Sequence, residues 1–110
     1  MRKKGQQGVI VERGTGDGMY VSLPEAPFAE GDEVVFAVRA DEESERLFFV
    51  SVTEFDESGR AFIGFTAEDT LSLPADSYVY GVNLIRAGAE PVSIIKSAPF
   101  IVEQAVARDE

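Results

Sequence analysis

The sequence predicts an all-β domain: a two-sheet, antiparallel β-sandwich of seven or eight short strands, with a small β-barrel as the runner-up. Three observations lead there. Apolar residues recur at the strand period of two, as in Val34, Phe36 and Val38. Turn-forming residues punctuate the chain at intervals near the roughly 8–12 residues common in sandwiches and barrels. No segment shows sustained helical periodicity.

The elements follow in order. Val9-Ile10-Val11 begins a short strand, and Arg13-Gly14-Thr15-Gly16-Asp17-Gly18 is a flexible turn. Met19 to Leu23 resumes an extended segment that ends at Pro24 and Pro27. Glu30-Gly31-Asp32 turns into the strand Glu33 to Arg39. The charged loop Asp41 to Glu45 precedes Leu47-Phe48-Phe49-Val50-Ser51-Val52, a run rich in aromatic and β-branched residues. Asp56-Glu57-Ser58-Gly59 is a hairpin turn with Gly59 available for positive φ, and Arg60 to Thr66 returns as the partner strand. Ala67 to Asp76 lacks clear periodicity. It is either a helical turn, with Thr66-Ala67-Glu68-Asp69 as its start, or a crossing between sheets. Tyr78 to Ile85, Val92 to Lys96 and Phe100 to Val106 complete the set, with Pro91 and Pro99 at strand starts. Strands of this number and spacing fit an immunoglobulin-like sandwich. Its expected bounds are 9–106, after a flexible basic N-terminus (1–8) and before a C-terminal tail (107–110).

A chain of 110 residues, 45% apolar, makes one domain able to bury about two-thirds of its unfolded surface. No apolar run approaches the roughly 20 residues needed to span a bilayer. The polar stretch Gly5-Gln6-Gln7-Gly8 after the first cations does not continue as a signal peptide. The expected location is therefore the cytoplasm of the producing cell. The net charge is −10, and with three cations at positions 2–4 the remainder carries −13. Such a surface repels phosphate backbones, so neither nucleic acid nor an anionic membrane is expected as a partner.

Catalytic chemistry finds little material. There is no histidine and no cysteine, which removes Ser-His-Asp and Cys-His arrangements and thiolate metal sites. Ser93-Ile94-Ile95-Lys96 matches S-x-x-K, but that chemistry needs a helical face, and strand positions three apart point to opposite sides. The loop from Gly14 to Gly18 lacks the Gly-Lys-Ser/Thr ending of a phosphate loop. Asp41, Glu42, Glu43 and Glu45, with Asp56 and Glu57, offer a weak possibility of Ca²⁺ binding without the alternating acidic pattern of a dedicated loop. No cofactor and no enzymatic activity are expected.

Strand polarity points instead to a surface. With Phe48, Val50 and Val52 inward, Leu47 and Phe49 face outward, and Phe55 shares their face. Ile63 and Phe65 inward leave Phe62 outward, and Ile94 inward leaves Ile95 outward. Either loops or the N-terminal segment cover these residues, or Leu47, Phe49, Phe55, Phe62 and Ile95 are the contact residues of a subunit interface on the outer face of one sheet. Tyr78 has a structural role, capping the corner Leu73-Pro74-Ala75-Asp76-Ser77 through its hydroxyl, as a tyrosine does near the start of the penultimate strand of immunoglobulin-like sandwiches.

One segment carries a resemblance. Asp69-Thr70-Leu71, Leu73-Pro74-Ala75-Asp76-Ser77-Tyr78-Val79-Tyr80-Gly81-Val82, Gly88 and Pro99-Phe100-Ile101-Val102 form a pattern, joined by Glu30-Gly31-Asp32 ahead of Val34-Val35-Phe36. It resembles the N-terminal, immunoglobulin-like domain of phage baseplate upper proteins and related small tail-associated proteins of phages and prophages. Asp76 and Gly81 stand where that pattern more often has Gly and Asp. The resemblance implies a stand-alone, non-enzymatic structural protein of a phage particle, tail or baseplate associated. Its partners would be copies of itself or a larger tail component, and its final location the virion. A carbohydrate- or ligand-binding accessory module is the alternative.

Overall fold

The computed structural model describes residues 2–5, 7–23 and 25–104, the backbone alone for residues 2–4. Its strands are β1 (Arg2–Lys4), β2 (Gly8–Glu12), β3 (Asp17–Val21), β4 (Glu33–Arg39), β5 (Arg46–Val52), β6 (Ala61–Phe65), β7 (Asp76–Ile85) and β8 (Val92–Glu103), with a short helix α1 (Ala67–Leu71) before β7. Six strands form one sheet in the order β1-β2-β8-β7-β4-β5, and β3 pairs with β6 in a second. The sheet ends do not join, so no barrel closes. β2, β8, β7 and β4 lie inside the large sheet, and β3 and β6 face it, which makes a sandwich of two unequal sheets.

One pairing departs from the antiparallel expectation. β2 runs parallel to β8, with Val9 opposite Phe100 and Glu12 opposite Glu103. Ahead of it Arg2–Lys4 pairs with β2, Arg2 opposite Ile10, where the sequence led to a flexible leader. Pro24, Val106 and the tail 107–110 lie outside the described residues.

The alternation read from the sequence drives the packing. Val34, Phe36 and Val38 of β4 and Ala61, Ile63 and Phe65 of β6 are buried, and their neighbours point outward. Phe36 is fully buried, with ring centroids 5.2 Å from Tyr80, 5.9 Å from Phe100 and 6.1 Å from Phe65. Phe65 comes from the small sheet, so this aromatic cluster joins the two layers. Tyr80, two residues after the corner tyrosine, is held by packing against Phe36 and Phe100 and by a hydrogen bond from its hydroxyl to the Gln7 carbonyl.

β8 merges two expected strands through a double irregularity. Tyr80 faces Ala98 and Val82 faces Ile95, while Asn83 faces Ser93, so β8 carries one extra residue in each interval. These are β-bulges, which let a strand continue while its facing changes. Pro99 stands one residue before the ladder with β2 begins, where a missing N–H is tolerated.

The crossing from β6 to β7 is both alternatives at once, a helical turn within an intersheet corner. The Thr66 hydroxyl accepts the Asp69 N–H at 3.2 Å and the Asp69 carboxylate accepts the Thr66 N–H at 2.8 Å, a reciprocal cap on α1. Tyr78 donates its hydroxyl to the Pro74 carbonyl at 2.6 Å, closing the expected tyrosine corner. The loop after β2, expected to be flexible, is tied to this corner. Arg13 donates to the Leu73 and Leu71 carbonyls, at 2.7 and 2.9 Å, and the buried Thr70 hydroxyl accepts the Gly14 N–H at 3.0 Å.

Burial raises the pKa of the Tyr80 phenol, and burial with the nearby Asp76 carboxylate raises that of Tyr78. A phenol that resists ionisation in the fold stabilises it fully below the unfolded value of 10.0. That stabilisation fades as pH climbs through the folded value. Stability should fall above about pH 10, and Tyr80→Phe should flatten the fall. Urea midpoints between about pH 9 and 11 check this. Parallel curves for the two proteins would rule it out.

Candidate interaction surface

β5 ends the large sheet, and its outward residues lie beside those of β4. Ala37 faces Phe49 and Val35 faces Ser51, but Val38 faces Phe48 and Arg39 faces Arg46, so Leu47 is an extra residue in a bulge. Leu47 and Phe49 are 48% and 52% exposed. The bulge also turns Arg46 to the outer face, where its guanidinium lies 4.2 Å from the centre of the Phe49 ring.

The other expected contacts are placed differently. Phe62 is 50% exposed, but it lies on the small sheet, on the opposite side of the sandwich. It faces Tyr20 across the β3–β6 ladder, ring centroids 5.0 Å apart. Its ring also covers the Gly18–Gly64 pair: a Cβ built at Gly18 would meet that ring at 2.3 Å. This is aromatic cover for a glycine pair, and it gives Phe62 a job within its own sheet. Phe55 is half-buried against Phe28, at 5.4 Å between ring centroids. Ile95 faces the buried Val82 and so points inward, because residues directly opposite share a face; the extra residues of β8 reversed the alternation. The five residues therefore do not make one patch, and Leu47 and Phe49 are what remains on the outer face of the large sheet.

Beside them lies a groove of about 320 Å³ that the sequence reading did not foresee. Its floor includes Val35, Ala37 and Gly81, and Arg39, Arg46 and Lys96 stand around it. Gly81 is small for a local reason. A Cβ there would come within 3.1 Å of the Lys96 carbonyl oxygen and 3.2 Å of that of Ile95, both in the irregular stretch of β8. The same stretch brings Ser93, opposite outward-facing Asn83, and Lys96 to one side of the sheet, correcting the expectation that they diverge. No hydrogen bond joins the two side chains.

The acidic loops hold themselves. The Asp41 carboxylate accepts the Ser44 hydroxyl and the Glu43 N–H, each at 2.9 Å, which lowers its pKa. The Asp56 carboxylate likewise accepts the Arg60 and Ser58 N–H groups. Among the described residues no three carboxylates are grouped to hold a metal ion. No helix among them is long and apolar enough to cross a membrane. No protein-family model matches the chain, and no curated protein is similar to it in sequence.

Proposed function

We propose that this chain is a non-enzymatic structural protein of a phage or prophage particle, tail or baseplate associated, that acts by protein–protein contact. The observation that carries the contact is the exposed pair Leu47 and Phe49 on the terminal strand of the large sheet. Two large apolar side chains side by side on an exposed sheet face suit a docking surface better than a solvated one. The phage context rests on the segment from Asp69 to Val102. The partner is a further copy or a larger tail component, and the chain passes from the cytoplasm of its producing cell into the particle.

Mass spectrometry of particles purified after prophage induction of a strain carrying this gene tests the assignment. The chain should co-purify with tail components, and Phe49→Ser should release it while leaving its circular dichroism unchanged. Recovery of the wild-type chain only from the soluble cell fraction would overturn the particle role.

The groove favours a second reading, a carbohydrate- or ligand-binding accessory module. Thermal-shift screening against glycans separates it from the first; no shift at millimolar concentration counts against it.

A further inference from the structure

We infer that the groove on the outer face of the large sheet receives an acidic, extended segment of a partner protein. The inference rests on reading this face as the docking surface and names the chemistry that fills it. Carboxylates outnumber cations by 20 to 10 in this chain, so a cation has every opportunity to find an acid. Among the described residues, Arg60 pairs with Asp56 at 2.7 Å and Arg86 lies 3.9 Å from Asp32. The three around the groove do not. Arg39 donates to the Ser44 carbonyl and Arg46 rests on the Phe49 ring, and among the described residues none of the three has a carboxylate partner.

Their remaining donors are therefore available to an external anion. A guanidinium stacked on an aromatic ring keeps its N–H edges free and its plane fixed, the arrangement that favours paired hydrogen bonds to a carboxylate. The floor of Ala37 and Gly81 leaves room for a backbone to lie close. Leu47 and Phe49 at one end provide apolar cover for its side chains. A nucleic acid fits less well, because Glu42 lies in the groove lining and the protein's net charge of −10 opposes a continuous phosphate chain. A peptide with a few carboxylates among apolar residues meets both halves of the surface.

The test is a titration of the ¹⁵N-labelled full chain with a short synthetic peptide of alternating glutamate and valine, followed by NMR. Alternating lysine and valine is the control. Shifts should appear at the amides of Ala37, Gly81, Asn83 and Lys96, and added salt should weaken binding. Arg46→Glu and Lys96→Glu should each weaken it about tenfold while leaving the remaining spectrum in place. Equal binding of the lysine peptide, shifts confined to other residues, or indifference to both charge reversals overturns the inference. So does a concentration-dependent dimer that occupies the same amides, which assigns the groove to a second copy. If the acidic peptide fails while Phe49→Ser still releases the chain from particles, the docking surface stands and the acidic occupant falls.

Discussion

Phe36→Ala is expected to lower the stability of the domain by about 3–5 kcal/mol. That range is a fifth or more of what a domain of this size usually has in reserve. Phe36 has no exposed surface and touches rings from three directions: Phe65 from the small sheet, Tyr80 and Phe100 from the large one, with Phe48 at 6.1 Å from the edge strand. The cavity left behind would lie between two hydrogen-bonded layers. Neither can sag into it without breaking its own ladder, so little of the loss is recoverable. Phe36→Leu keeps most of the volume and should lose much less. Urea unfolding with unchanged slope and a markedly lower midpoint for the alanine variant is the expected result. A midpoint shift no larger than that of the leucine variant would show that the core can collapse around the gap.

Thr70→Val should cost about 2–3 kcal/mol by a different route. The side chain is fully buried and nearly isosteric with valine, so packing hardly changes. What changes is the hydroxyl. It accepts the Gly14 N–H at 3.0 Å and donates toward the Thr15 carbonyl at 2.9 Å, with the Ala67 carbonyl at 3.2 Å sharing that proton. Valine leaves the half-buried Gly14 donor without its partner, and a bond left unmade there costs more than a made one contributes. Thr70→Ser, which keeps the hydroxyl and loses a methyl, should be the milder change. The Gly14 amide should also exchange with solvent faster in the valine variant alone. If serine is as damaging as valine, the methyl rather than the hydroxyl holds the corner.

Local patterns were legible where one strand's own alternation decided them. β4 and β6 bury the side chains their periodicity predicts, Gly59 takes φ +76° in its turn, and Tyr78 closes the corner its position implied. Failures came where facing depends on a second strand. Nothing in Val92 to Glu103 announces two extra residues, and each one inverts every side chain beyond it, so Ile95 faces inward where simple alternation places it outward. Phe62 looked like a contact residue because the Gly18 and Gly64 it covers meet only once β3 and β6 are in register. The groove was hidden for the same reason. Arg39 and Arg46 are joined by the β4–β5 ladder and Lys96 by β8, far along the chain, so their common neighbourhood is a property of register rather than of any window. The parallel β2–β8 pair is likewise a partnership about ninety residues apart, beyond any local rule.

That parallel pair has a mechanical meaning. Tension along the chain first peels β1 from β2, then reaches the Gly8 end of one strand and the Glu103 end of its neighbour. Because the two strands run the same way, the opposed pulls slide them lengthwise, and the four residue pairs from Val9–Phe100 to Glu12–Glu103 share the load at once. An antiparallel hairpin surrenders its bonds singly under the same tension. Drawn by its two ends in a force microscope, this domain should resist as a clasp and yield in one step; gradual peeling at low force would contradict that geometry.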